Sequence, residues 1–163
     1  GVQTCALPIW LTVKDATGTP LPSEPAMEPE EEEAVKALEK GNYSEAAAAY
    51  KKWLARKPGE TLAQIGLAQC ELMIRIENLD PKRILADAAS QHNNLDIQIQ
   101  AADIEVATGA YESAFNRLIK CVRTMVGDEK KRAKDHLIVL FTLIDPTDPI
   151  LIKARSALAS ALF

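Results

Sequence analysis

Motifs that carry chemistry are scarce in this chain, and each absence narrows what it can do. There is no Gly-rich phosphate loop, no HExxH, no GxSxG, and no pair of carboxylates on an otherwise apolar face. The usual phosphate-binding, zinc-hydrolase and serine-hydrolase constellations are therefore missing. Cys5, Cys70 and Cys121 are odd in number, far apart and never in a CxxC pair. That argues against a disulfide framework or zinc site and for reduced thiols in a cytoplasmic protein. His92 and His136 have no ligand-type neighbours in sequence. A net charge of −4 leaves no electrostatic footprint for nucleic acid. No apolar run approaches the ~20 residues that cross a bilayer. No catalytic, cofactor or metal residue is expected, and neither nucleic acid nor membrane is an expected partner.

Aromatics are also few, at 5%, while hydrophobic residues make up 47% and alanine is abundant. Such a core is built from small side chains, which suits helices in close contact. The clearest pattern is KGNYSEAAAAYKKWLARKP, residues 40–58. Gly41 permits a tight bend. Tyr43, Ala46, Ala47, Tyr50, Trp53 and Leu54 then recur at steps of three and four, one face of a helix. Pro58 and Gly59 stop it. Gly, Tyr, Ala, aromatic, aromatic and Pro at these offsets resemble the second half of a tetratricopeptide-type helical hairpin.

The pattern returns at Gly109, Tyr111, Ala114, Leu118 and Cys121. Each stands 68 residues after its counterpart among Gly41, Tyr43, Ala46, Tyr50 and Trp53, about twice a 34-residue tetratricopeptide period. A middle copy would turn at Arg75-Ile76-Glu77, which has no Gly or Tyr. Helical periodicity and stop signals predict eight helices: about 29–40, 43–57, 60–76, 81–90, 95–108, a sixth from Tyr111 closed by Gly127-Asp128, 128–144, and 149 to the end. Asp80-Pro81 and Asp148-Pro149 read as a capping acid followed by a first-turn proline. Val35 and Leu38 join Ala34 and Ala37 in the expected buried stripe of the first helix. The acidic run Glu30 to Glu33 is expected to favour that helix's N-terminus. Cys70 and Cys121 read as small core residues, and His92 as an exposed loop residue. The expected fold is all-α: tetratricopeptide-like hairpins stacked as a short right-handed solenoid.

Residues 10–28 hold three prolines and read as an extended linker, with Trp10, Leu11 and Val13 a possible short strand. The first nine residues, GVQTCALPI, resemble translated adapter sequence and are expected to be non-native read-through. The natural chain is then expected to continue upstream, with residues 29–163 as its helical-repeat domain.

Four segments carry a wider likeness: 40–72, 96–123, GDEKKRAKDHLIVLFTLI at 127–144, and DPILIKARSALASALF at 148–163. Together they resemble the C-terminal region of YbbN/CnoX-type chaperedoxins, thioredoxin-like bacterial co-chaperones. The resemblance implies an upstream thioredoxin-fold domain, absent from these residues, and a repeat module that binds unfolding client proteins. It implies hand-over of clients to DnaK and the GroEL chaperonin, with the last helix as the docking element. Arg155, Leu158, Leu162 and Phe163 are the residues expected to dock a partner. Two other readings stand beside this one. The last helix is equally well a cap over the repeat core. The whole array is alternatively a generic scaffold for one defined peptide.

Overall fold

Three-residue glycine turns close two of the helical hairpins. The computed structural model describes residues 27–162, which form eight helices with no strand among them. They are α1 (Pro29–Glu39), α2 (Tyr43–Arg56), α3 (Thr61–Ile76), α4 (Pro81–Ser90), α5 (Leu95–Ala107), α6 (Tyr111–Thr124), α7 (Gly127–Phe141) and α8 (Pro149–Leu162). Residues 1–26 and Phe163 lie outside the described residues. The expectations for the read-through, for the Trp10–Val13 strand, for most of the linker and for Phe163 fall there.

The 68-residue echo is a structural repeat. Gly41 (φ 70°) and Gly109 (φ 81°) both adopt the left-handed conformation after a helix. Around the first, Gly41 N–H donates to Leu38 O and Asn42 N–H to Ala37 O; around the second, Gly109 N–H donates to Val106 O and Ala110 N–H to Glu105 O. This is the same Schellman closure twice, and it needs glycine because a Cβ disfavours that φ. Ala46 and Ala114, Tyr50 and Leu118, and Trp53 and Cys121 are all buried. The caps also follow the sequence. Asp80 Oδ1 accepts from the Lys82 and Arg83 amides, and Asp148 Oδ1 from the Ile150 amide at 2.7 Å.

Three details differ from expectation. Gly127 opens α7 instead of closing α6, and α7 stops at Phe141, ahead of Thr142–Ile144. Only Ala34 and Ala37 of α1 are buried, while Val35 and Leu38 are exposed. α1 is the first helix described and packs chiefly on α2, so it needs only a narrow stripe. The acidic run also does more than favour a helix end. Glu33 pairs with Lys52, Glu30 with Arg56, and Glu28 with both Arg56 and Lys57, clamping α1 to the end of α2.

The array is irregular where the motif is missing. α1–α2–α3 pack in series, as do α5–α6–α7, but α4 packs chiefly on α5 and α8 chiefly on α6. The main core runs from Leu72 through α5, α6 and α7 to Leu151, Ala154 and Leu158 of α8. At its centre Phe115 meets Phe141 edge-on, ring centres 5.0 Å apart, worth about 0.5–1.5 kcal/mol beyond area burial.

Two polar networks stitch the irregular part together. Asp103 of α5, buried, accepts from Arg75 of α3 through Nε at 2.7 Å and Nη2 at 3.1 Å, and its Oδ1 lies 2.8 Å from His136 Nε2 of α7. Thus α3, α5 and α7 share one carboxylate. On the other side, buried Gln98 donates to the Ala88 and Gln91 carbonyls at the end of α4. Arg117 of α6 in turn donates to Gln98 and bidentately to Glu105. Asp103 and Glu105 thus point apart on α5, Asp103 toward Arg75 and Glu105 toward Arg117.

Candidate partner-binding surface

Splayed hairpins leave a trough. A seven-residue connection joins α7 to α8, against three for the tight pairs. α8 leans on α6, so the end of α7 and the last turns of α8 diverge. The hollow between them has a volume of about 560 Å³. Thr61, Gln64 and Ile65 of α3 form one wall. Ile138, Phe141 and Thr142 of α7, with Ile144 and Pro146 of the connection, form another. Arg155, Leu158, Ala159 and Leu162 of α8 complete it.

Three of the four residues expected to dock a partner are therefore brought together in this hollow. Leu158 is buried against α6, Arg155 and Leu162 are exposed, and Phe163 lies outside the described residues. The helix that carries them serves the core as well, through Leu151 and Ala154. Sequence reading missed the wall that α3 contributes and the place of Ile138. Both sit on helices whose apolar residues outnumber what the core takes up. Leu62 is 61% exposed, Ile138 48% and Leu162 39%. The lining carries a single charged side chain, Arg155. It has no ion-pair partner among the described residues.

A second, smaller hollow of about 300 Å³ also uses residues of α3. Ile65 lines the first and Gly66 the second; Ile144 lines the first and Leu143 the second. Its walls include Tyr43 and Tyr111, the paired tyrosines of the two repeat copies. Both hollows are thus lined in part by residues of α3. The missing middle motif accounts for this, because a regular hairpin partner would lie back along α3, whereas α4 lies on α5.

Elsewhere the chemistry is quiet. No group of three His, Cys, Asp or Glu residues among the described residues is placed to hold a metal ion. No described helix is long and apolar enough to cross a membrane. His92 is exposed in the α4–α5 loop. Cys70 and Cys121 are buried, and burial pushes both thiols upward from their ordinary range. With Cys5 replaced by serine, the native protein should therefore release almost no thiol to an Ellman-type reagent, and two equivalents in denaturant. Stoichiometric modification of the native protein within minutes would contradict this and reopen a thiol-redox reading.

Comparison with known proteins agrees with the repeat. The family model described as tetratricopeptide repeat matches residues 75–163. Proteins described as uncharacterized, from two Mycobacterium tuberculosis strains and from Mycobacterium bovis, are 35% identical over 138 residues. The match takes in 84% of this chain but 45% of each relative, so the chain spans less than half their length. No solved structure matches it.

Proposed function

Because this chain belongs to the tetratricopeptide-repeat family, whose members are protein–protein interaction scaffolds, we propose that it is the protein-binding module of a co-chaperone. In this reading it engages unfolding clients in the cytoplasm through the trough and passes them to a GroEL-type chaperonin and to DnaK. It takes no catalytic part itself. The observation that carries the reading is the open apolar trough. Exposed Ile138 and Leu162 line a hollow that has no covering element among the described residues. Contiguous apolar surface of this kind is what varied, partly unfolded chains bind. The chaperedoxin likeness of 127–144 and 148–163 supports it, since these segments supply two of the trough's walls. A thioredoxin-like domain upstream belongs to the same proposal.

Removing α8 would be a poor test, because Leu151, Ala154 and Leu158 are core and their loss would unfold α6 as well. Surface substitutions avoid this. The pair Arg155→Glu and Leu162→Lys should leave thermal stability within a few degrees of wild type. It should weaken chaperonin co-purification and suppression of aggregation of two unrelated denatured enzymes by about tenfold, roughly 1.4 kcal/mol. Unchanged co-purification by the folded double variant would rule out docking through α8.

One observation favours a scaffold for a single defined partner. Arg75, Asp103 and His136 fix α3, α5 and α7 relative to one another, and a rigid surface bearing one cation selects more than it accommodates. Client breadth separates the readings. Tight binding of one partner with no suppression of aggregation would favour the scaffold.

A further inference from the structure

We infer that the trough takes an α-helix, presented by a partner protein, with an apolar ridge and an acidic side chain set to meet Arg155. The inference rests on the reading that the trough binds protein. It goes further by fixing the backbone form and charge of what binds.

The backbone form follows from what the walls can offer. An extended segment laid in the trough would bring unpaired N–H and C=O groups against apolar side chains, at a cost for each group left unmatched. The walls come largely from α3, α7 and α8, whose interior backbone groups are already paired within their own helices. Side-chain partners are few: Thr61, Gln64 and Thr142. Gln64 is already committed, donating to Pro58 O at 3.0 Å. No strand exists among the described residues to offer an edge for strand addition. Phe141 is the single aromatic among the described residues that line the larger hollow, and one ring does not make the aromatic ladder that docks polyproline segments. A helix satisfies its own backbone and needs only an apolar groove. Along α8 the trough runs from Arg155 to Leu162, roughly 10 Å at 1.5 Å per residue, which matches about two turns of a docked helix.

The charge follows from Arg155. Among the described residues its guanidinium has no ion-pair partner and is the one charge in the lining. Beside apolar walls it rewards a carboxylate and penalises a cation. The protein as a whole is acidic, at −4. General electrostatic attraction would therefore draw basic ligands, and a preference for acidic ones at this site must come from Arg155 itself.

A random 16-residue peptide library displayed on phage and panned on the whole chain tests both parts. Selected peptides should share apolar residues at three- and four-residue spacing with an acidic position beside the ridge. They should become helical on binding by circular dichroism. Proline placed mid-peptide should weaken binding at least tenfold, and Ile138→Lys in the protein should do the same. Arg155→Glu should reverse the preference between a selected peptide and its Glu-to-Lys version. Enrichment of proline-rich or aperiodic peptides, no enrichment at all, or an unchanged charge preference in Arg155→Glu would overturn the inference. If aggregation suppression nonetheless survives Ile138→Lys, the interaction module stands and its surface is elsewhere. If suppression is absent from wild type while helical acidic peptides bind, the inference stands and the co-chaperone reading falls.

Discussion

Asp103→Ala should cost the fold about 3 kcal/mol at pH 7, the low end of what breaking a buried ion pair costs. The Asp103 side chain is 2% exposed and meets the Arg75 guanidinium and the His136 ring from two other helices. Removing it leaves the Arg75 guanidinium, one-third exposed, and the largely buried His136 ring without their acceptor. Partial access to water is why the low end applies. The triple replacement Arg75→Met, Asp103→Leu and His136→Leu should recover most of that loss. An apolar set of similar volume removes the desolvation cost together with the attraction. If the triple variant is as unstable as Asp103→Ala, the network supplies net stability, not just the relative placement of α3, α5 and α7. Urea denaturation followed by circular dichroism reads wild type and both variants.

The same carboxylate sets a pH dependence. Burial pushes Asp103 up, but the hydrogen bonds from His136 and Arg75 outweigh burial and hold it below the ordinary aspartate range. A depressed carboxylate contributes stability that is fully present above its unfolded value, about 3.9. That stability is lost as pH falls through the lower folded value. The gap between wild type and Asp103→Asn should therefore close progressively as the pH is lowered below about 4. A gap independent of pH down to pH 3 would mean that Asp103 is held by shape and not by charge.

That network marks the limit of what the chain discloses before folding. Helix existence, the caps at Asp80 and Asp148 and the 68-residue echo were legible because they depend on residues within a few positions of one another. So was the burial of Cys121, because it inherits the place of Trp53. The pairing of Asp103 with Arg75 and His136 was not, since the partners lie 28 and 33 positions away on other helices. One signal was present. Asp103 sits among Ala101, Ala102, Ile104 and Val106 in a helix buried on nearly every side. A lone acid in such a helix must meet a cation. The trough was half legible. Arg155, Leu158 and Leu162 could be named from the last helix. The wall from α3 could not, because it exists through the failure of α4 to cover α3. The family match begins at Arg75 and so leaves out 40–58, the hairpin most plainly readable by eye.

The alanine-rich design of this core has its sharpest consequence at Gly66. In a helix interior glycine is ordinarily the weaker choice, and Gly→Ala is worth about 1 kcal/mol of added stability. Here the sign should reverse. A Cβ on Gly66 would stand 2.3 Å from Cζ of Tyr50 and 2.6 Å from both Cε atoms. The ring is buried at the α2–α3 crossing, in a cluster with Trp53 and Cys70, and has little room to yield. Overpacking of about 3 kcal/mol less the propensity gain leaves a net loss of about 2 kcal/mol for Gly66→Ala. The second repeat copy indicates the cure. The residue 68 positions after Tyr50 is Leu118, and that after Gly66 is Lys134. Where α6 meets α7, a leucine replaces the tyrosine and the partner helix carries a full side chain. Tyr50 and Gly66 are thus a matched pair, ring against bare backbone. In a Tyr50→Leu background Gly66→Ala should cease to destabilise and should gain up to about 1 kcal/mol from helix propensity. A double-mutant cycle by urea denaturation measures the coupling. Equal cost of Gly66→Ala in both backgrounds would place the clash on some neighbour other than Tyr50.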